Sequence, residues 1–249
     1  MHRFFLPPGA RQGDELELRD SQAHQICDVL RLRPGEVVGA FDGSGVEYQA
    51  ELVEVTRGLV RGRILEASSD SREPRTELVL YQGLLKGDKF EWVLQKGTEV
   101  GIAAFVPMAT ARVVSSSVSR GKRARWERIL IEAAEQSGRT RVPRLAEVQP
   151  FARAVEAAQL GQGCAVIPWE EERATGLKDA VCAAGPVHLF IGPEGGFSRE
   201  EIEVAQSHGL RPVTLGPLIL RAETAGLVAA SAIIFSRGDL GGSRSIEVA

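Results

Sequence analysis

The sequence predicts an α/β chain with a separate, β-rich N-terminal domain, and three observations predict it. Across the first 70 residues, apolar and polar positions alternate around tight turns, the period of a half-buried strand. From about residue 77, short apolar runs alternate with stretches of helical periodicity, the pattern of a mostly parallel sheet covered by helices. Two of those runs end in Gly-Pro, at Gly192-Pro193 and Gly216-Pro217, so each strand gives way to a loop that needs backbone freedom.

The elements follow in order. "SQAHQICDVLRLRPGE" suggests a short helix with Ala23, Ile26, Cys27 and Leu30 on one face, stopped by Pro34-Gly35. "EVVGAFDGSGVEYQAELVEV" (36–55) reads as a hairpin about the turn "DGSG", and "GLVRGRILEA" (58–67) as a further strand. The economical picture is a small barrel with one helix, spanning 1–70. The polar stretch 66–77 is a plausible linker, and a second domain spans 73–249. There the strands are "ELVLYQGLL", "AAFVPMAT", "CAVIPW", "VHLFIG" and "PVTLG". The helices are "DKFEWVLQKGTEVG", "KRARWERILIEAAEQSG", "FARAVEAAQLG", "GLKDAVCAAG", "SREEIEVAQSHG" and "ETAGLVAASAIIFSRG". The last is apolar on too many sides for a surface helix and belongs in the core or against another subunit.

With 43% hydrophobic and 25% charged residues and a net charge of −3, the chain has the composition of an ordinary globular protein. No apolar run reaches membrane-spanning length and the start lacks a signal peptide's apolar stretch, so the expectation is a cytoplasmic protein without a membrane partner. Cys27, Cys164 and Cys182 are odd in number and lack C-x-x-C spacing, and the four histidines form no close ligand pair; neither a disulfide framework nor a metal site is expected. Charge is uneven, however: residues 112–144 hold nine Arg or Lys against three Glu. Such a block suits nucleic-acid phosphates or a solvated helix face, and both readings stay open here.

"IGPEGGFSREE" (191–201) follows an apolar strand, and Ser198 with Glu201 forms a capping box that starts a helix at Arg199. The loop therefore lies at the C-terminal end of a strand, where open α/β sheets bind ligands. It is not a phosphate cradle. The lysine of a P-loop is missing, Glu194 stands where the dinucleotide fingerprint needs glycine, and a carboxylate repels phosphate. Free amides and carbonyls with one negative charge suit a nucleoside-like, cationic ligand. "VTLGPLILRAETAG" (213–226) repeats the strand-Gly-Pro design, which brings two backbone loops to one pocket.

The pair "IGPEGGFSREE" and "LGPLILRAETA", with "QKGTEVGI" (95–102) and "EAAEQSGRTRVP" (132–143), resembles the signature of the 16S ribosomal RNA uracil-N3 methyltransferases, the RsmE family of the SPOUT superfamily. The resemblance covers nearly the whole chain. It implies a PUA-like N-terminal barrel that binds RNA, a SPOUT domain closed by a C-terminal deep trefoil knot at about 188–236, and a homodimer. It implies S-adenosylmethionine as cofactor, held around Ile191, Gly192, Pro193 and Gly196 and around Leu215, Gly216, Leu220 and Thr224. The implied substrate is a specific uridine of 16S rRNA in the small ribosomal subunit. Relatives commonly carry Arg and Thr where this chain has Leu218 and Ala222, so no role carries over to those two.

Methylating uracil N3 requires removal of its proton and stabilisation of negative charge on the uracil oxygens. Arg221, always cationic and a planar donor, is the expected charge-stabilising group. Glu223 or Glu194 is the expected base or orients that arginine, and the two roles are not separable in the sequence. Gln136 falls on the stripe of Trp126, Ile129 and Ala133, so a buried amide is expected there that either caps a loop or faces the active site, and Gln136 counts among the RNA-binding candidates. Arg139 and Arg141, in a loop after Gly138, are expected at RNA phosphates, with Arg123, Arg3, Arg31 and Arg33 as further candidates. Two other readings stay open: a SPOUT enzyme acting on a ribose 2′-hydroxyl or on tRNA, and an RNA-binding ribosome-assembly factor without catalysis.

Overall fold

The computed structural model describes residues 1–69, 72–113, 118–159 and 162–241. It divides into two compact units, Met1–Glu73 with Ala134–Val142, and Pro74–Ala133 with Pro143–Ala249. Residues 70 and 71, inside the expected linker, lie outside the described residues.

The first unit is a six-stranded sheet in the order β1-β4-β5-β6-β3-β2. Its strands are β1 (Arg3–Phe5), β2 (Arg11–Gln12), β3 (Glu15–Arg19), β4 (Val37–Phe41), β5 (Glu47–Val55) and β6 (Leu59–Ser68). All pairs are antiparallel except β1 with β4. The turn 42–46 closes the expected β4–β5 hairpin, with Gly43 and Gly45 at positive φ. Helix α1 (Asp20–His24) runs into a π-helical turn, Gln25–Val29, that carries Ile26 inward. Phe4, Leu16, Leu18, Ile26, Leu52 and Val60 belong to one buried cluster, the inward half of the alternating pattern.

The second unit is a seven-stranded sheet in which every pair is parallel, in the order β10-β8-β7-β12-β11-β13 with β9 on β8. Its strands are β7 (Leu78–Gly83), β8 (Ala104–Ala109), β9 (Arg144–Leu145), β10 (Gln149–Pro150), β11 (Cys164–Pro168), β12 (Val187–Ile191) and β13 (Arg211–Val213). The helices are α2 (Lys89–Val100), α3 (Arg120–Ser137), α4 (Phe151–Gln159), α5 (Leu177–Ala180), α6 (Arg199–Ser207) and α7 (Ala222–Ser236). Every residue of β7 and β12 is buried, because helices cover both faces. Phe190, Tyr81 and Val106 pack with Phe151, Phe197 and Ile202 in one cluster, while α7 lies against α2, α5, β7 and β12.

The motif "QKGTEVGI" has a packing explanation. A Cβ at Gly97 would stand 2.8 Å from the Phe105 ring, so only glycine lets α2 meet β8 this closely. Gly101, at φ 110°, caps α2 in the left-handed conformation.

Three expectations are corrected. Gln136 is exposed. The buried face of α3 runs through Trp126, Leu130, Ala133 and Ala134, about one residue's rotation away from the stripe drawn through Ile129. "GLKDAVCAAG" forms only the single turn α5, since Val181 is extended. Cys164 and Cys182 are paired in a disulfide, with Cα atoms 5.8 Å apart. A sequence separation of 18 conceals a proximity that α5 and its loops create.

Candidate active site

In a parallel sheet all C-terminal ends lie on one edge, and the loops after β7, β8, β11, β12 and β13 gather there. Backbone bonds tie the loops after β11 and β13 together: Trp169 N–H donates to the Val213 carbonyl at 3.0 Å, and Thr214 N–H to the Thr175 carbonyl at 2.9 Å.

The first loop, 192–198, is held from several sides. A Cβ at Gly83 would lie 2.6 Å from Pro193 N, so the end of β7 touches the loop backbone directly. A Cβ at Gly192 would lie 3.1 Å from the Gly196 carbonyl carbon. Gly196 itself adopts φ 68° and donates to the Pro193 carbonyl at 2.9 Å. Gln82 Nε2 donates to the Gly192 carbonyl at 3.3 Å, while its buried Oε1 has no partner among the described residues. Arg112 Nη1 donates to the Gly195 carbonyl.

The capping box is present: Glu201 N–H donates to Ser198 Oγ, and Ser198 N–H to Glu201 Oε2. Glu201 Oε1 also accepts the Ala111 N–H at 2.8 Å, which fastens the loop after β8 to the start of α6. Each oxygen of this buried carboxylate accepts a backbone N–H, so Glu201 is architectural.

The second loop, 214–221, is more open. Gly216 N–H donates to Thr214 Oγ1 at 3.2 Å, and Gly216 takes φ 107°. Leu218 and Ile219 are 77% and 95% exposed. Arg221 is exposed at the N-cap of α7, its carbonyl accepting from Thr224 and Ala225, and its side chain has no ion pair among the described residues. Gly226 lets α7 approach the sheet, since a Cβ there would stand 3.1 Å from Gln82 Oε1.

The two carboxylates singled out in the sequence meet through one cation. Lys89 Nζ is 3.3 Å from Glu194 Oε1 and 3.5 Å from Glu223 Oε1. Glu194 Oε1 also accepts the Lys86 N–H at 3.1 Å. Burial alone would raise the Glu194 pKa, but hydrogen bonds from its own backbone, from Lys86 and from Lys89 outweigh that and hold it below the ordinary carboxylate value. Glu223 Oε2 is buried and has no partner among the described residues. Lys89, Gln82, Gly83 and Arg112 escaped sequence reasoning. Only Gln82, a polar residue in an apolar strand, carries a local signal.

A mainly apolar cavity of about 250 Å³ lies beside these loops, between α5, Leu215 and α7. Gly192 and Gly196 are not part of its wall.

The expected RNA-contacting residues separate into two groups. Arg139 is buried and paired with Glu73 at 2.6 Å, and Arg3 is half-buried, bonded to Glu47 and the Arg139 carbonyl. Arg123 is a strut to Glu127, Glu147 and the Leu145 and Ala146 carbonyls. These three correct the expectation, because protein partners already hold each side chain, although Arg3 Nη1 is buried without a hydrogen bond among the described residues. Arg31, Arg33 and Arg141 are exposed.

Comparison with known proteins agrees over nearly the whole chain. Family models for an RNA methyltransferase domain and an RNA methyltransferase PUA domain match residues 71–234 and 12–65. The Bacillus subtilis ribosomal RNA small subunit methyltransferase E is 34% identical over 96% of this chain and 100% of its own length. That of Synechocystis is 34% identical over 93% of this chain and 77% of its own. A Neisseria gonorrhoeae protein of the same name, crystallised bound to S-adenosyl methionine, is 33% identical. It superposes with a TM-score of 0.86 over 96% of this chain and 99% of its own.

Proposed function

We propose, from the premise that this chain belongs to the ribosomal RNA small subunit methyltransferase E family, that it methylates N3 of a specific uridine in 16S rRNA, with S-adenosylmethionine as cofactor. The observation that carries the proposal is the edge cluster itself, in which a glycine-built loop and the start of α7 are joined through Lys89.

The residues present fit such a cofactor. Gly192 and Gly196 form a backbone cradle that a Cβ would crowd, and Glu223 Oε2 is a buried acceptor awaiting a donor or cation. Ile191, Gly192, Pro193 and Gly196 would hold it on one side and Leu215, Gly216, Leu220 and Thr224 on the other. When bound, it supplies a methyl group on a positively charged sulfur. In this reading Arg221, exposed at the N-cap of α7, donates to uracil oxygens. Glu223 or Glu194 takes the N3 proton.

Connectivity supports the knot expected near 188–236. The chain leaves β12, passes through α6 to β13 beyond β11, and then returns through α7 onto β12 and β7. Val228 and Phe235, exposed on α7, support a homodimer that covers them. Arg31, Arg33 and Arg141 supply RNA contacts in this reading, and the location is cytoplasmic, where ribosomal subunits are. No described helix is long and apolar enough to cross a membrane.

The test is incubation with small ribosomal subunits and isotope-labelled cofactor, followed by mass spectrometric location of the methyl. Label on uracil N3 is expected; label on ribose, on tRNA alone or nowhere overturns the proposal.

A further inference from the structure

Lys89 is in an unusual place. It opens α2, where the helix dipole disfavours a cation, and Asp88 before it makes no side-chain cap. Local helix preferences therefore do not explain the residue, whereas its two carboxylate partners do. One partner lies on the loop after β12 and the other on the first turn of α7, so a single ammonium joins both sides of the proposed cofactor site.

The two partners are engaged differently. Glu194 Oε1 is shared by Lys89 and the Lys86 N–H, so this carboxylate keeps a donor even without the lysine. Glu223 is held by Lys89 through Oε1 alone, and its buried Oε2 is free to accept. We propose that Lys89 is a positioning residue that orients Glu223 as the proton acceptor of methyl transfer, with Glu194 serving as the anchor of the clamp. This rests on the methyltransferase reading and sharpens it, because it separates two carboxylates that the sequence leaves equivalent. In the step, the uracil N3–H bond breaks and its proton passes to Glu223 Oε2. The N3 electron pair takes the methyl, the S–CH3 pair stays on sulfur, and the proton leaves to water.

Removing the ammonium leaves two carboxylates facing each other, with Glu194 still held by backbone donors and Glu223 without its ion pair. The test compares Lys89→Met, Lys89→Arg, Glu194→Gln and Glu223→Gln in the full chain. Carbon-13 NMR of the cofactor-free protein follows the Glu223 carboxyl, assigned by its loss in Glu223→Gln. Its carboxyl chemical shift at neutral pH is expected to change in Lys89→Met and to return in Lys89→Arg. With small subunits, Lys89→Met is expected to lower kcat by about tenfold or more, with S-adenosylmethionine affinity by calorimetry within roughly threefold. Lys89→Arg should restore most of the rate. An unmoved NMR shift, or Lys89→Arg as impaired as Lys89→Met, overturns the proposal. So does loss of the acidic limb in Glu194→Gln with retention in Glu223→Gln. A wild-type protein that transfers no methyl counts against the function itself, while the NMR shift still judges the clamp.

Discussion

The two loops that end in strand-Gly-Pro look alike in sequence and differ sharply in structure. The loop after β12 is fastened by β7, by Gln82, by Arg112 and by its capping box, and two of its glycines sit where a side chain would collide or be crowded. The loop after β13 has internal bonds between Thr214 and Gly216, exposed aliphatic side chains and an arginine without an ion pair among the described residues. A wall that holds a ligand has to be preorganised, whereas groups that meet a second substrate have to stand free. The same motif has been used once for each task.

Substitutions can break this contrast, and the largest effect is expected at the open loop. Arg221→Ala should lower kcat by about 100- to 1,000-fold, as loss of one charge-stabilising donor does, with cofactor affinity retained by calorimetry. Parallel loss of both would make Arg221 a structural residue and erase the distinction between the loops. Gly83→Val comes next. Its Cβ meets Pro193 backbone, which cannot rotate away, so cofactor affinity should fall by about 10- to 100-fold, the equivalent of roughly 1–3 kcal/mol of overpacking.

Smaller effects sharpen the picture. Ser198→Ala removes the cap of α6 and should cost about 1 kcal/mol, or about 2–4 °C in melting temperature. Because the Glu194 pKa is lower in the folded chain than its ordinary 4.5, its hydrogen bonds stabilise the fold above that pH. That contribution is lost as pH falls through the lowered value. Melting curves below pH 4.5 should therefore show Glu194→Gln converging on wild type, and a constant gap would contradict the clamp. Ile219→Ala, at 95% exposure, should change stability by less than about 0.5 kcal/mol.

Most of the architecture is legible in the sequence because apolar runs and turn residues are local signals. β7, β8, β11 and β12 are continuous apolar stretches, and the start of α6 is written in Ser198 and Glu201. The strands that escaped notice are mainly two- or three-residue pieces such as β1, β2, β9 and β10, too short to show a period. At the site, the glycine loops were readable because positive φ and close approach demand glycine. Lys89 was not, since its partners Glu194 and Glu223 lie on other elements far along the chain. The same holds for Arg139 and Cys164, whose partners Glu73 and Cys182 come together only when the chain has folded. Gln136 shows a different failure: a helical stripe drawn one position off exchanges inside for outside at the helix end.

The strand order also governs the timing of synthesis. Leu78 of β7 pairs with Val187 of β12, so the centre of the parallel sheet stays open until the ribosome has made most of the protein. The antiparallel strands β3 to β6, by contrast, are close in sequence and complete by Ser68. Distant pairing of this kind slows folding and leaves apolar strands uncovered meanwhile. Nascent chains stalled just before β12 should accordingly be cut by protease throughout β7 and β8, and gain protection once β12 has emerged. An enzyme of the ribosome would thus pass through its own most vulnerable state while still attached to one.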